Sequence, residues 1–464
     1  MPRHHPPGDP EHEGEREDGH QPTFPRHGAQ CSGSGRARSP LAIGSDSLSF
    51  AQSPVRPPAR PFHSPRGSIV STESRSGLSR RQWLRNTGLG LGASVALPGL
   101  LPASEMSRVL GGGLPYSALL DQMERDVTTA RRAAGPIRLN FNENPFGMSP
   151  KAKDALMGNW AQHTWYVPPI REEIAATFAK HVGVPVDHVL VTQGSSEVLS
   201  ILALAYNMHG GEIVAPWPTF EDLPRWGETL GATVHKVPLD HRLDHDLYQM
   251  DAKINGNTKL VFVCNPNNPT SNLGDDQALR DFVSNAAKRS TVIVDEAYYD
   301  FVTHPGYKSM TDLVLKGEPI IVSRTASKIH GLAGLRIGFA IARPDIIKKL
   351  SQYVTGDPNV FGLTAANASL MDTEYQAFVK AKNTEGRTML LDALAKLGKK
   401  AAPSQTNFVF FQAGKPVEQM QTYFAGKGFT IGRAFPPYTD WCRVSIGTPD
   451  EMKQFVGVLP GAFA

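Results

Sequence analysis

The chain has 464 residues, 40% of them hydrophobic and 20% charged, with a net charge of +4. That length exceeds one small domain and suits two or three units, or one large α/β core with additions. No apolar run approaches the ~20 residues of a membrane span, so no stable span is expected. The charge is unevenly placed: residues 1–85 carry 12 basic and 8 acidic side chains, and the rest carries 36 of each. The basic excess belongs to the leader, and no nucleic acid partner is expected for the folded part. Cys31, Cys264 and Cys442 fit neither a metal-ligand spacing nor a disulfide framework. No metal is expected, and Cys264 reads as a small buried hydrophobe.

Residues 1–78 are rich in Pro, Arg, Ser, His and Gly without periodicity, and read as a disordered leader. Ser79-Arg80-Arg81-Gln82-Trp83-Leu84-Arg85 follows, then an uncharged Gly/Ala/Leu-rich run from Thr87 to Leu101. Over 79–104 this resembles a twin-arginine signal peptide, cleaved near Ala103. The expectation is export by the twin-arginine translocase to the periplasm or beyond, with the cytoplasm as alternative. The reading also places the natural start near Val70, with residues 1–69 an extension.

Residues 105–150 read as an N-terminal arm: a helix-prone stretch, then a polar turn, Asn140-Phe141-Asn142-Glu143-Asn144-Pro145-Phe146-Gly147, closed by proline. Helices are expected over 149–157 and 171–182, joined by an extended link at 165–169. A short strand, 188–192, runs into Gln193-Gly194-Ser195-Ser196 and an apolar helix, 198–206. Free N–H groups at such a helix start suit an anion, or the serines simply cap their own helix. The strand 212–216 leads to Phe220, which would cover a planar ring or join the core. Residues 232–237 read as an edge strand. Lys259 to Cys264 is a strand leading into Asn265-Pro266-Asn267-Asn268-Pro269-Thr270, where prolines fix the turn that carries Asn268.

Another apolar strand ends in Asp295, with Tyr298 three residues on. A carboxylate there must face a cation, a metal or a donor, since burying it unpaired is costly, or it is a simple loop Asp. The strand 319–322 then enters Ser323-Arg324-Thr325-Ala326-Ser327-Lys328, with Arg336 eight residues beyond the lysine. Lys328 suits a Schiff base with an aldehyde, or a surface loop. Thr325, Ser327 and Arg336 suit a phosphate. Strands and helices alternate from 186 to 342, which predicts a mostly parallel sheet. Asn268, Asp295, Lys328 and the Gly194–Ser196 turn all follow strands at one end, where open α/β sheets place ligands. The tail holds a helix at 344–353, a helical pattern at 364–397, and strands at 408–411 and 443–446. It is expected to pack with the arm as a smaller domain.

Five motifs occur in order: Asn142-Glu143-Asn144-Pro145, Asn265 to Thr270, Asp295-Glu296-Ala297-Tyr298, the lysine stretch, and Cys442-Arg443-Val444-Ser445-Ile446-Gly447-Thr448. Together, over about 137–460, they resemble the fold-type I pyridoxal-phosphate aminotransferases, class I/II, most of all the histidinol-phosphate aminotransferase branch. The resemblance implies a three-layer αβα large domain with a mostly parallel sheet over 151–343 and a smaller α+β domain over 344–464. It implies pyridoxal 5′-phosphate as cofactor and transamination by an aldimine and quinonoid mechanism, with 2-oxoglutarate and glutamate as the exchanging pair. A small amino acid or amine and a 2-oxo acid would be the partners.

By the same resemblance Lys328 would form the aldimine and move the proton, and Asp295 would pair with the ring nitrogen. Tyr298 and Asn268 would bond the ring oxygen, and Phe220 would stack on the ring. Gly194, Ser195, Ser196, Thr325, Ser327 and Arg336 would hold the phosphate, with Tyr166 from the neighbouring subunit of a homodimer. Asn144, Arg433 and Arg443 would bind substrate. Alternatives on the same fold are an aromatic amino acid aminotransferase, a phospho-amino acid decarboxylase or a β-lyase.

Overall fold

A computed structural model of the chain describes residues 115–166 and 168–464. The disordered-leader reading for 1–78 and the export-signal reading for 79–104 lie outside these residues.

In chain order the elements begin with helix α1 (Tyr116–Ala133), strand β1 (Ile137–Leu139) and helices α2 (Pro150–Gly158) and α3 (Pro168–Val182). Strands and helices then alternate: β2 (Val189–Thr192), α4 (Ser195–Asn207), β3 (Glu212–Trp217), α5 (Asp222–Thr229), β4 (Thr233–Pro238), α6 (Leu247–Lys253) and β5 (Thr258–Cys264). Next come α7 (Asp276–Ala287), β6 (Thr291–Asp295), α8 (Thr311–Leu315), β7 (Ile320–Thr325) and β8 (Gly338–Ile341). Helices α9 (Pro344–Ser351), α10 (Val360–Leu370) and α11 (Thr373–Lys396) precede β9 (Phe408–Gln412) and α12 (Val417–Ala425). The chain closes with β10 (Phe429–Ile431), β11 (Trp441–Ser445) and α13 (Pro449–Val458).

Seven strands form one sheet in the order β2-β8-β7-β6-β5-β3-β4. The pairs among β7, β6, β5, β3 and β4 are parallel, and β8 runs antiparallel to both its neighbours. Strand β4 is an edge, as the sequence predicts. The alternation fails at one place: no α-helix separates β7 from β8. The turn carrying Lys328 and Arg336 joins these two antiparallel strands directly.

The pleat sends alternate residues to opposite faces, and both faces are covered. Val261 and Val263 of β5 pack with α3, α7 and α10, whereas Leu260, Phe262 and Cys264 pack with α4, α5 and α9. Each fully buried aliphatic side chain contributes about 1.5–3 kcal/mol, so this two-sided burial fixes the register of the strand ends. Cys264 is a free thiol in that core, as expected.

A separate apolar cluster joins β1, β9, β10 and β11 to α11, α12 and α13. Strands β9 and β11 pair antiparallel. Strand β1 pairs parallel with β10 across nearly the whole described chain, a contact the sequence does not announce. The helical pattern at 364–397 is two helices, with Asp372 accepting from the Tyr375 N–H at the start of the second. Among the described residues no helix is long and apolar enough to cross a membrane.

Candidate active site

The carboxyl ends of β2, β3, β5, β6 and β7 open into a cavity of about 640 Å³. It is lined by Ser195, Ser196, Phe220, Asn268, Asp295, Tyr298, Thr325, Ser327, Lys328, Arg336, Arg433 and Arg443, all expected from sequence. These twelve side chains come from eight separate segments, and those after β2, β3, β5, β6 and β7 converge because each apolar strand is buried on both faces and ends at the same level.

The Lys328 amine lies 3.2 Å from the Asn142 carbonyl oxygen and 3.5 Å from that of Phe141. Burial, aided by the Arg443 and Arg336 guanidinium groups, lowers its pKa to about 8. A useful share of the amine is therefore neutral near physiological pH. Asp295 ends β6 and is 2% exposed. Burial pushes its carboxyl up to about 7. Its Oδ1 has no hydrogen-bond partner among the described residues. Tyr298 is buried against Phe408 in an edge contact, and its hydroxyl accepts from the Asn142 side-chain amide at 3.1 Å. Burial raises that hydroxyl's pKa, so it stays protonated.

The opposite wall is cationic. Arg443 is 8% exposed, yet no carboxylate pairs with it among the described residues. It donates to Asn268 Oδ1 at 2.6 Å and to the Asn140 carbonyl at 2.8 Å, and its Nε is unpartnered. Burial lowers its pKa to about 10, so it remains charged at neutral pH. Arg433 bonds Glu221 at 2.8 Å and lies over the Phe435 ring.

The phosphate-like corner is built by close backbone approach. Gly194 stands at φ +80°, and a Cβ there would come within 2.2 Å of Arg336 Nη2. A Cβ on Gly338 would sit 2.3 Å from the Ser195 nitrogen. Neither Ser195 nor Ser196 caps its helix through its side chain, so the capping alternative is not realised. The first-turn N–H groups of α4 face the corner with the helix dipole behind them. Thr325 Oγ1 donates to Ser327 Oγ at 2.9 Å, and Arg336 Nη1 reaches Ser327 Oγ at 3.4 Å.

Two expected residues stand elsewhere. Asn144 does not line the cavity: its amide donates to the Ile329 carbonyl at 2.8 Å and its oxygen accepts from the Phe146 N–H at 3.0 Å. Both ends of that side chain are engaged in fixing the turn. Tyr166 is 97% exposed and outside the cavity of its own chain. Conversely, Asn140, Asn142, Thr219, Glu221 and Phe435 also line the cavity; of these only Asn142 stands in a motif singled out from sequence, as the start of the turn 142–146. The run of asparagines was the available signal for the first two.

The family description Aminotransferase class I and II matches residues 134–459. The chain belongs to this family. It is 33% identical over 332 residues to histidinol-phosphate aminotransferase 2 of Bacillus cereus (strain ATCC 10987 / NRS 248), covering 70% of this chain and 88% of that relative. A crystal structure of a provisionally named histidinol-phosphate aminotransferase from Erwinia carotovora atroseptica SCRI1043 superposes with TM-score 0.68 at 36% identity, covering 70% of this chain and 95% of that one. The fold is shared too with histidinol-phosphate aminotransferase from Sinorhizobium meliloti in complex with pyridoxal-5′-phosphate, at TM-score 0.66 and 22% identity over 81% of this chain and 99% of that one.

This aminotransferase uses pyridoxal 5′-phosphate, and its catalytic reaction is transamination. The residues present fit the group. Asp295 Oδ1 is a buried acceptor without a donor, which a protonated ring nitrogen satisfies. The Gly194 corner offers an anion site with the Arg336 guanidinium, which no carboxylate pairs among the described residues, in a space that a Cβ would fill. Lys328 supplies a buried amine of lowered pKa on the same wall.

Proposed function

We propose that the chain transfers the amino group of histidinol phosphate, or a close phosphorylated amine, to 2-oxoglutarate. The single observation that carries this reading is Arg443: a buried guanidinium with one free N–H, no carboxylate partner, and Arg433 beside it in the same cavity. Two cations on the wall facing Lys328 suit a substrate whose anion is remote from the reacting carbon. Relatives 33% and 34% identical to this chain are histidinol-phosphate aminotransferases, which supports the same substrate.

When bound, the cofactor supplies a carbonyl for amines and a ring that spreads negative charge. In the proposed roles Lys328 tethers it, then carries the proton at the substrate carbon, which its lowered pKa permits. Asp295 keeps a proton on the ring nitrogen. Asn268 and the Tyr298 hydroxyl address the ring oxygen, and Phe220 covers the ring. Gly194, Ser195, Ser196, Thr325, Ser327 and Arg336 bind the phosphate. Arg443 and Arg433 orient the substrate anion by charge-assisted bonds.

We further propose a homodimer in which Tyr166 enters the partner's cavity. Met157, Trp165 and Tyr166 are exposed along one short segment, which supports a partner surface. Export through the twin-arginine route, with function in the periplasm, is proposed from Arg80, Arg81 and the run after them.

The test is a donor panel on the loaded protein. Histidinol phosphate, phenylalanine, tyrosine and phosphothreonine are offered with 2-oxoglutarate, and glutamate formation is measured. Highest kcat/KM for histidinol phosphate is expected. Carbon dioxide release from phosphothreonine, or preference for an aromatic donor, would reject this substrate.

A further inference from the structure

Asn142 stands in the left-handed backbone region, at φ 54°, and is 1% exposed. Few side chains other than glycine adopt that region, and asparagine is among those that tolerate it. Every polar group of the residue is engaged. Its N–H donates to Ser445 Oγ at 2.8 Å, and its Oδ1 accepts from the same hydroxyl at 2.9 Å. Its Nδ2 donates to the Tyr298 hydroxyl at 3.1 Å. Its carbonyl accepts from Lys328 Nζ at 3.2 Å and from Asn407 Nδ2 at 2.9 Å.

Ser445 lies two residues from Arg443 on β11, so the two side chains share a face of that strand. Arg443 adds a second stitch, donating to the Asn140 carbonyl at 2.8 Å. The segment 140–142 is thus fastened at two points to the strand that bears the substrate-side arginine. From there it touches both groups that act at the reacting centre.

We propose that Asn142 is a positioning residue that holds the Lys328 amine and the Tyr298 hydroxyl in register, and that Ser445 sets Asn142 from the strand carrying Arg443. A lysine side chain has about 2 kcal/mol of rotamer freedom to lose, and a fixed acceptor near its amine removes part of it beforehand. Both the ammonium and the neutral amine carry N–H donors, so the Asn142 carbonyl is an acceptor Lys328 can use in either state, more strongly when charged. Because Tyr298 accepts from Asn142, its own proton is left to point at another acceptor, toward the cavity. A substrate anion that engages Arg443 shares its bonds with Asn140, which loosens the segment and frees the amine.

This inference rests on the reading of Lys328 as the reacting amine. Asn142→Gly is the decisive variant, since glycine keeps the left-handed backbone, the N–H and the carbonyl while deleting the two side-chain bonds, to Tyr298 and from Ser445. Ser445→Ala removes the clamp alone. Three quantities are measured: the thermal midpoint, the pH midpoint of Lys328 acylation in cofactor-free protein by mass spectrometry, and kcat and KM with histidinol phosphate. The charged groups around Lys328 are Arg443, Glu143, Asp295 and Arg336, with the neutral Tyr298 hydroxyl, and none is altered. In Asn142→Gly the acylation midpoint is expected to fall, because the carbonyl is no longer held against the ammonium. The kcat is expected to drop about tenfold, the worth of one net hydrogen bond, with KM within about twofold. Ser445→Ala should shift both in the same direction by less. An acylation midpoint unmoved in Asn142→Gly overturns the proposal, whatever the thermal midpoint does. A wild type in which the cofactor is not attached at Lys328 would instead sink the reading of the lysine, and acylation of the cofactor-free protein would still judge Asn142.

Discussion

Arg443 donates one guanidinium N–H to the Asn268 side-chain oxygen at 2.6 Å, across 175 residues of sequence. The bond ties β11 to the turn after β5, and so ties the proposed substrate anchor to a proposed cofactor contact. Its second branch reaches the Asn140 carbonyl, and the remaining Nε has no partner. A guanidinium fork can meet Asn268, Asn140 and an incoming anion together, whereas an ammonium offers one point of charge.

Replacing Arg443 therefore separates charge from shape. Arg443→Lys is expected to lower kcat/KM for histidinol phosphate by about 10²-fold, chiefly through KM, because the bidentate geometry is lost. Arg443→Ala should fall at least as far. Steady-state kinetics on the loaded protein check this, and a lysine variant within about threefold of wild type would remove Arg443 from substrate binding.

The raised pKa of Asp295 makes a statement about stability. Burial lifts the carboxyl from 3.8 to about 7 in the folded, cofactor-free protein. The folded state then holds a proton that the unfolded chain has released. Stability from this group is full below pH ~4 and is lost as pH rises toward 7. The thermal midpoint of cofactor-free protein should therefore fall across that window more steeply in wild type than in Asp295→Asn. Loading the cofactor should flatten the wild-type curve, since the carboxylate gains a cation. Calorimetry at a series of pH values reads both effects; parallel curves for the two proteins would count against the assigned shift.

The sequence carries the site more legibly than the frame around it. Asp295, Asn268 and Lys328 each follow an apolar run, and burial on both faces forces such runs to end level. That makes their convergence readable. The pairing of β1 with β10 is not readable, since three residues of each strand meet only through the tertiary fold. Nor is the direction of β8, which follows a turn without a helix. That Asn142 lines the cavity and Asn144 does not has a local cause. The positive φ at Asn142 turns the chain, so its carbonyl faces Lys328, while the proline at 145 leaves Asn144 to brace the turn. Neighbouring asparagines offer no pattern by which to choose between them.

Gly338 tests the phosphate corner without touching a charged group. A Cβ at this position would lie 2.3 Å from both the Gly194 carbonyl carbon and the Ser195 nitrogen, which are backbone atoms that cannot rotate away. Gly338→Ala must push β8 from the start of α4. Overpacking of this kind costs about 1–3 kcal/mol. The expected result is a lower thermal midpoint together with weaker cofactor binding, measured by titrating cofactor-free protein. Unchanged binding would mean that the corner does not hold the phosphate.

Glu296 follows Asp295 but turns away from the cavity and carries a different duty. It is fully buried and pairs with Arg324 at 2.7 Å, while accepting from the Met310 N–H at 2.8 Å and the Ser309 hydroxyl at 2.7 Å. Arg324 also lies over the Tyr299 ring, 3.7 Å from its centroid. Deleting one member strands the other's charge without water, which costs about 3–5 kcal/mol in buried pairs. Arg324→Met is therefore expected to unfold at clearly lower denaturant, while the double variant Arg324→Met with Glu296→Gln recovers part of the loss. Urea titrations of the single and double variants measure the coupling. If the double variant is no more stable than Arg324→Met alone, the isolated Glu296 charge is not what destabilises it.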